Sequence, residues 1–279
     1  MVNFNGTLLP EEANVLGANR GFLFGDAVFE TIKVVNNKIL FFEDHYFRLM
    51  ASMRIVRMEI PMNFTLEFLE QSILDLVQTN ELLLAARVRM TVFRNGDGLY
   101  TPQDRSVSYI IQSTALDSVT YQMNTSTPYE VDLYKDFMVP KQLLSTIKTN
   151  NRMVNVLAGV FAKENNLNSC LLVNNEKNVI EALNGNLFMV VNNVLITPPI
   201  SDGALNGIMR KQILDLAKSL NDIEVVEKSI SPFDLQKADE LFVTNIILGI
   251  QPITKYRKKE FSTAIASTLL GKLNQTISI

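Results

Sequence analysis

The sequence predicts an α+β fold in two domains, and three observations lead to that prediction. Of the 279 residues, 47% are hydrophobic, which is enough to bury a sizeable core. Strand-like and helical segments are mixed along the chain, without the regular strand–helix order of a doubly wound sheet. A stretch rich in Ser, Thr and Asn runs over 113–127, as expected of a linker. We therefore expect one domain over 1–115, a linker over 116–127 and a second domain over 128–279.

Strand patterns and two helix patterns make up the first half of the chain. The run AVFETIKVVNNKILFF, 27–42, consists of two apolar segments joined by Asn36 and Asn37, which is typical of a β-hairpin. Asp44 then stands where it can cap a helix. The other elements predicted here are a helix over 65–78 and strands over 86–94 and 107–113.

The second half contains a lysine between an apolar run and a helix pattern. In LLSTIKTNNRMVNVLAG, 143–159, Lys148 is followed by polar residues, and Arg152 opens a helix predicted over 152–164. Its apolar residues recur at helical spacing, at Met153, Val156, Leu157, Val160 and Phe161. The other elements predicted here are strands near 129–139, 170–175, 186–197 and 223–230 and helices at 207–220 and 262–275.

Composition excludes several classes of function. A net charge of -3, with the basic residues scattered, gives no footprint for nucleic acid. No run approaches the ~18 apolar residues of a membrane span, and the N-terminus lacks the basic start and apolar core of a signal peptide. The one cysteine, Cys170, cannot form an intrachain disulfide, and the one histidine, His45, cannot build a multi-histidine metal site. We expect a cytoplasmic protein with no metal and no membrane partner.

Two features of the second half have both an ordinary and a chemical interpretation. Lys148 is either an exposed loop lysine, which its position alone favours, or an amine held in a pocket to attach a cofactor covalently. Gly207 opens a helix pattern. It is either an ordinary turn or a point of close approach, where the N–H groups of Ile208 and Met209 bind phosphate.

Two charged residues are equally ambiguous when each is taken alone. Glu181, at the end of a short apolar run, either faces water or pairs with a protonated ring nitrogen. Arg48 is either one of several exposed arginines or a fixed phosphate ligand. Together, a lysine, a carboxylate, an arginine and a helix start are the four parts that an enzyme using pyridoxal phosphate needs.

Six motifs occur in the order of one enzyme family. They are NRGFLFGDAVFETIKV at 19–34, HYFRL at 45–49, IKTNNR at 147–152, VIEALNGNLF at 179–188, LNGIMR at 205–210 and ADELFVTNIILGIQPI at 238–253. With them, nearly the whole chain resembles the fold-type IV pyridoxal phosphate enzymes: branched-chain aminotransferases, D-amino acid aminotransferases and aminodeoxychorismate lyases. The resemblance implies a smaller N-terminal α/β domain, a larger C-terminal β-barrel-like domain with helices, and a homodimer acting on a small-molecule amino substrate.

The resemblance also assigns roles to residues. Lys148 would anchor pyridoxal 5'-phosphate and move the proton at the substrate's Cα. Arg48 would hold the phosphate together with the helix start at Gly207, Ile208 and Met209. Glu181 would pair with the ring nitrogen. Further cofactor contacts fall on Asn186, Asn245 and Ile246, and substrate contacts fall on Phe24, Arg89 and Arg152.

The motifs favour a lyase over the two groups of aminotransferases. The loop NGDGLYTP, 95–102, lacks the Arg-x-His of the D-amino acid aminotransferases, and Met153 stands where branched-chain enzymes have a tyrosine. Asn245 and Ile246 replace the Gly-Thr of the branched-chain enzymes, whereas K-x-x-N-R and NGIMR resemble the lyases. Against this, Leu99 stands where the lyases have a second arginine.

We therefore expect an aminodeoxychorismate lyase, which would release pyruvate and form 4-aminobenzoate for folate biosynthesis. A branched-chain-like aminotransferase, which transfers an amino group to a 2-oxo acid, is the alternative. A third possibility is a family scaffold that has lost catalysis and only binds. The presence of Lys148 and Glu181 argues against it.

Overall fold

The structure is a computed structural model that describes residues 2–4, 7–9, 19–123 and 127–277. The chain divides into two compact units. The first unit comprises Met1–Ala115 and Lys148–Asn151, and the second unit comprises Leu116–Ile147 and Arg152–Ile279. Residues 124–126 of the predicted linker lie outside the described residues, so the linker stays a prediction. Within the described ranges, no helix is long and apolar enough to cross a membrane.

A four-stranded antiparallel sheet forms the centre of the first unit. In spatial order its strands are Lys38–Ile39 (β4), Ala27–Val35 (β3), Ala85–Arg94 (β5) and Val107–Ala115 (β6). β3 and β5 pair continuously, from Ala27 opposite Phe93 to Val35 opposite Ala85. Two short strands, Val2–Phe4 (β1) and Thr7–Leu9 (β2), pair with each other, and a short helix at Arg20–Leu23 (α1) precedes β3.

The hairpin predicted over 27–42 is confirmed. Asn36 and Asn37 connect β3 to β4, with φ angles of 48° and 59°. Both angles lie in the left-handed region, which the tight turn of a hairpin requires and which asparagine tolerates better than most residues.

Two helices pack against one face of this sheet, at Phe42–Ile55 (α2) and Leu66–Thr79 (α3). Met53 of α2 is buried in one cluster with Val28, and Ile73 of α3 is buried in another with Ile32. Since side chains alternate across a strand, the even-numbered residues of β3 face these helices and the odd-numbered residues face the other side.

Asp44 does not cap α2, so that part of the prediction is wrong. The helix begins at Phe42, and the residue before it, Phe41, adopts a left-handed conformation with φ of 53° and makes no side-chain cap. Asp44 instead lies in the first turn, where its negative charge interacts favourably with the helix dipole. The helix starts earlier because the chain turns sharply at Phe41, directly after β4.

A branched ten-stranded sheet forms the centre of the second unit. Its strands are Glu130–Val139 (β7), Ser169–Asn174 (β8), Val179–Ala182 (β9), Gly185–Val191 (β10), Val194–Thr197 (β11), Glu224–Glu227 (β12), Glu240–Asn245 (β13), Gly249–Ile253 (β14), Lys255–Tyr256 (β15) and Lys259–Glu260 (β16). The main path runs β12-β11-β10-β9-β8-β7-β15-β16, and β13 pairs with both β10 and β14. Parallel and antiparallel pairs are mixed, as expected of an α+β fold.

Three longer helices accompany this sheet, at Met153–Glu164 (α4), Ile208–Lys218 (α5) and Ala264–Ile277 (α6). The predicted apolar positions of α4 divide between two sides of the helix. Leu157 and Phe161 pack against a buried cluster of the sheet. Met153, Val156 and Val160 are exposed.

Candidate active site

Lys148 is held through its backbone against the edge of β3. The Phe29 N–H donates to the Lys148 carbonyl at 2.8 Å, and the Asn150 N–H donates to the Ala27 carbonyl at 2.9 Å. Between them, Val28 and Thr149 form an antiparallel bridge. The lysine is therefore fixed by strand-type hydrogen bonds rather than carried on a free loop.

The side chains of Lys148 and Arg89 both lie against the ring of Phe29. The Lys148 Nζ is 4.3 Å from the ring centroid and the Arg89 Cζ is 3.7 Å from it. Arg89 is also held by Thr91, at 3.2 Å from its Nε, and by Asn150, at 3.1 Å from its Nη2. An aromatic ring attracts cations through its negatively charged face, so Phe29 gathers two positive groups on one side of the sheet.

On the opposite face of β3, Glu30 forms a buried ion pair with Arg48. The Arg48 Nε donates to the Glu30 Oε1 at 2.8 Å, and its Nη2 donates to Oε2 at 2.5 Å. His45 Nδ1 lies 2.8 Å from the same Oε2. The side chains of Glu30 and His45 are 2% and 1% exposed, and that of Arg48 is 10% exposed. The pair is therefore bidentate and almost free of solvent.

The charge states of this cluster follow from its surroundings. Burial alone raises the pKa of Glu30, but the charge of Arg48 and hydrogen bonds from His45 and Arg48 outweigh burial and hold that pKa at about 2. Burial lowers the pKa of His45. The charges of Arg48 and Lys148 lower it further, against the opposing effect of Glu30. At neutral pH, Glu30 is therefore ionised and His45 is neutral.

Only one tautomer of the neutral His45 ring can form a hydrogen bond with Glu30. An ionised carboxylate only accepts, so His45 must carry its proton on Nδ1 and donate it to Glu30. The other ring nitrogen, Nε2, is then an acceptor, and it is buried without a hydrogen-bond partner among the described residues.

In the second unit, Glu181 and Asn186 both bind the backbone of Leu205. They lie directly opposite each other on β9 and β10. Leu205 N–H donates to the Glu181 Oε2 at 2.9 Å, and the Asn186 Nδ2 donates to the Leu205 carbonyl at 2.7 Å. Both side chains are buried. Together they hold the loop that leads into α5.

Gly207 precedes α5 and is in close contact with Asn186. A Cβ added at Gly207 would collide with the Asn186 Oδ1, so a side chain is excluded here. Because Gly207 has no side chain, it cannot cap the helix itself. The N–H groups of Ile208 and Met209 stand at the helix start, where backbone donors and the helix dipole attract anions.

Asn245 organises a turn with its own side chain. Its Oδ1 accepts from the N–H groups of Ile247 and Leu248 at 3.0 and 2.9 Å, and its Nδ2 donates to the Asn184 carbonyl at 3.2 Å. The Ile246 carbonyl accepts from the Tyr121 hydroxyl at 2.8 Å. The Asn245 side chain is therefore engaged within its own turn, and the cofactor contacts of Asn245 and Ile246 stay a prediction.

The predicted substrate-binding residues Phe24 and Arg152 contact groups other than Lys148. Phe24 follows α1, with its ring 4.8 Å from the Arg20 Cζ and 5.9 Å from the Tyr100 ring. Arg152 begins α4 and donates from Nη2 to the Ile147 carbonyl at 2.9 Å. Leu99 is exposed. Within the first unit, the ring against Lys148 is that of Phe29, not that of Phe24.

Sequence reasoning missed four residues of these clusters: Phe29, Glu30, His45 and Asn150. A signal was present for two of them. Glu30 is a carboxylate inside an apolar strand run, and it lies on the face of β3 that packs against the helices. His45 and Arg48 are three residues apart, which puts both on one side of α2.

Each unit, taken by itself, contains groups of the kind that bind a phosphate-bearing cofactor: an amine and a fixed arginine in the first unit, and a helix start with backbone donors in the second. The sequence model of the amino-transferase class IV family matches residues 27–256, so the chain belongs to this family. Enzymes of this class use pyridoxal 5'-phosphate. The predicted family, fold class and cofactor are thereby confirmed.

Relatives of the chain have more than one named activity. A protein of Methanocaldococcus jannaschii, described as a branched-chain-amino-acid aminotransferase, is 29% identical over 98% of this chain and 94% of its own. A D-alanine aminotransferase of Listeria monocytogenes is 29% identical, covering 95% of this chain and 90% of its own. A structure from Legionella pneumophila described as a 4-amino-4-deoxychorismate lyase has a TM-score of 0.84 at 24% identity, covering 93% and 94% of the two chains.

Proposed function

We propose that Lys148 anchors pyridoxal 5'-phosphate and that the enzyme acts on an amine substrate carrying a carboxylate. The observation that carries this proposal is the shared contact of Lys148 and Arg89 with Phe29. A nucleophilic amine and a guanidinium suited to bidentate pairing with a carboxylate lie against one ring.

Separate residues would hold the two ends of the cofactor. Arg48 and the N–H groups of Ile208 and Met209 would bind the phosphate, since a charged fork and a helix start both favour an anion. Glu181 would pair with the ring nitrogen and keep it protonated. When bound, pyridoxal phosphate supplies an electron sink for a carbanion next to the substrate's amine.

The chain's own groups would then carry out the proton transfer. Lys148 would remove the proton from the substrate carbon that bears the amine, and Arg89 would hold the carboxylate so that this proton faces the lysine. Asn150, which holds Arg89 through its Oδ1, would keep the guanidinium in that orientation.

For the overall reaction we propose the elimination of pyruvate from aminodeoxychorismate. The ring carbon that bears the amine loses its proton, and the bond between the neighbouring ring carbon and the ether oxygen breaks. The ring becomes aromatic as 4-aminobenzoate, and the enolpyruvate that leaves takes up a proton at its methylene carbon to become pyruvate. This assignment is supported by Asn151 and Arg152 after the lysine and by the NGIMR motif at the helix start. Leu99, in place of a second arginine, leaves Arg89 as the residue proposed to bind the carboxylate.

Product analysis tests this proposal. Purified enzyme loaded with pyridoxal phosphate is given aminodeoxychorismate without any keto acid, and pyruvate and 4-aminobenzoate are measured. We expect both products in equal amounts, and we expect Lys148→Ala to lower the rate by about 10²–10⁴-fold, because it removes the proton-transfer group. A wild-type enzyme that forms neither product contradicts the lyase assignment.

An aminotransferase is the second candidate, and it is favoured by the names of the relatives that are 29% identical. It would use the same lysine and the same phosphate ligands but would require a 2-oxo acid as amino acceptor. The same preparation is therefore offered branched-chain amino acids and D-alanine, with and without 2-oxoglutarate. Keto-acid-dependent consumption of an amino acid, with no 4-aminobenzoate formed, would assign the chain to the aminotransferases.

We also propose a homodimer, supported by the exposed face of α4. Met153, Val156 and Val160 are 67%, 58% and 47% exposed, and they lie three and four residues apart on one side of the helix. A row of large apolar side chains in water is typical of an association surface. Light scattering should give twice the chain mass, and Val156→Glu should shift the protein towards the monomer. A monomeric wild-type protein would contradict the proposal.

A further inference from the structure

We propose that Glu30 and His45 are positioning residues that hold Arg48 in the orientation needed to bind the cofactor's phosphate. The inference rests on the proposed function, since it takes Arg48 as a phosphate ligand. Neither Glu30 nor His45 would touch the cofactor. Both would act through the arginine.

The pairing geometry defines which part of the arginine is oriented. Glu30 contacts the Nε–Nη2 edge of the guanidinium, through two hydrogen bonds of 2.8 and 2.5 Å. A planar group held at two points on one edge cannot rotate, so the direction of its remaining N–H groups is set by the carboxylate. Glu30 belongs to β3, which is paired along its whole length with β5, so its own position is fixed by the sheet.

His45 completes the coordination of the carboxylate. Its Nδ1–H donates to Oε2, the oxygen that also accepts from the Arg48 Nη2. With Nε of Arg48 on the other oxygen, Glu30 accepts three hydrogen bonds in a site closed to solvent. Without His45, the Glu30 side chain would have one fewer constraint on its rotation, and the arginine would follow it.

The position of the cluster makes a purely structural role a poor explanation. Burying three polar side chains costs desolvation energy, and apolar side chains of similar size often serve a core at least as well. Glu30 also directly follows Phe29, whose backbone N–H and ring contact Lys148 from the other side of the strand. Two adjacent residues of β3 thus hold the amine and the arginine that the proposed function requires.

The first experiment determines the state of the histidine. His45 is the only histidine of the chain, so isotope-labelled histidine gives the NMR signals of a single imidazole in the intact protein. We expect a neutral ring protonated at Nδ1 at neutral pH, both without and with bound pyridoxal phosphate. A ring protonated at Nε2 cannot donate to Glu30 from Nδ1 and would overturn the proposal.

The second experiment compares two ligands that differ only in the phosphate. Dissociation constants of pyridoxal phosphate and of pyridoxal are measured from their absorbance changes on binding. We expect Glu30→Gln to weaken pyridoxal phosphate by about tenfold or more while changing pyridoxal by less than about twofold, because only the phosphate needs the oriented arginine. An equal loss for both ligands, or no loss for either, would overturn the proposal.

Two substitutions of His45 distinguish the effect of its hydrogen-bond donor from the effect of its size. In His45→Asn the side-chain amide N–H takes the place of Nδ1–H. We therefore expect this variant to keep the preference for the phosphate form, which is the ratio of the dissociation constants of pyridoxal and pyridoxal phosphate. In His45→Phe the donor is absent, so we expect that preference to fall as in Glu30→Gln. If Asn and Phe lower the preference equally, donation to Glu30 is not the role of His45.

Asp26 provides a matched control in the same unit. It accepts from the Arg20 Nε at 3.0 Å and from the Arg94 Nε at 2.9 Å, so Asp26→Asn makes the same chemical change in another ion cluster. We expect Asp26→Asn to lower the unfolding temperature without altering the ratio of the two dissociation constants. A change in that ratio like that of Glu30→Gln would mean that general destabilisation explains the effect.

The outcomes also separate this inference from the proposed function. The proposed function fails if the wild-type protein does not bind pyridoxal phosphate, or if Lys148→Ala binds it as well as the wild-type protein does. If wild-type protein binds pyridoxal phosphate through Lys148 but Glu30→Gln keeps full preference for the phosphate form, only the positioning role fails.

Discussion

The two units hold their candidate cofactor-binding groups by different means. In the first unit the relevant groups are charged side chains, namely Lys148, Arg89 and Arg48, which are held by a ring and a carboxylate. In the second unit they are backbone groups, because Leu205 is held through its N–H and its carbonyl, and Gly207 opens a helix. The comparison shows that the groups of the first unit depend on side-chain charge, whereas those of the second unit depend on the absence of a side chain where two segments approach closely.

This difference predicts opposite sensitivities to mutation. A charged side chain can be shortened without moving the backbone around it, so the loss is limited to its own interactions. A backbone site has no side chain to remove, and it is damaged by adding atoms that push the chain away from its place. Substitutions that add one carbon and substitutions that remove one charge are therefore informative tests.

Among the tests of this difference between the units, we expect the largest effect from Gly207→Ala, which adds a single carbon. The new Cβ would collide with the Asn186 Oδ1, which is itself held through the amide by Leu205. A displacement of about 1 Å at the helix start should lower turnover roughly a hundredfold and weaken cofactor binding. Both quantities can be measured by titrating pyridoxal phosphate into the apoenzyme in an activity assay.

Gly271→Ala is the control for that substitution. Gly271 lies within α6, and a Cβ there meets no atom within 4 Å. Alanine in a helix interior should raise the free energy of unfolding by about 0.5–1 kcal/mol and leave turnover unchanged. If Gly207→Ala behaves like this control, the close approach of Asn186 has no functional role.

We expect a smaller effect, on the free energy of unfolding, when acid protonates the cluster of Glu30, His45 and Arg48 in the first unit. The pKa of Glu30 falls from 4.5 to about 2 on folding, so the folded protein gains stability above the unfolded pKa. That gain, on the order of 3 kcal/mol, should be lost as the pH falls from about 4.5 to about 2. His45, held neutral, adds to the loss, because the unfolded chain takes up its proton at a higher pH than the folded one.

Urea unfolding at a series of pH values measures this effect. The wild-type protein should lose more stability in acid than Glu30→Gln, which carries no titrating carboxyl at that position. Parallel stability curves for the two proteins would show that the Glu30 carboxyl keeps an ordinary pKa in the folded state.

Much of the fold could be predicted from local patterns, because those patterns depend on short-range geometry. The Asn36–Asn37 hairpin, the helix after Thr65 and the strand at Ala85–Arg94 follow from alternation and turn chemistry. The start of α2 was wrong because the left-handed Phe41 results from the turn before it. For α4 the apolar spacing predicted the helix but not which of its apolar residues would pack against the sheet.

The candidate site could be predicted in part, and the missing part has a physical cause. Motif position was enough to select Lys148, Arg48, Glu181 and Gly207. The contacts that orient them are long-range, since Glu30 and Arg48 are 18 residues apart and Glu181 and Leu205 are 24 apart. Such pairs come together only through sheet register, which one sequence does not reveal.

The neighbouring positions of Phe29 and Glu30 have a consequence for folding accuracy. A slip of one residue between β3 and β5 would exchange the two faces of the strand, turning the carboxylate towards the lysine and the ring towards Arg48. Such a slip would still bury apolar side chains from AVFETIKVV on both faces, so hydrophobicity alone is a weak guard against it. The polar contacts of Glu30 oppose the slipped pairing, so the residue that pairs with the Arg48 guanidinium also helps to specify the register of β3 against β5.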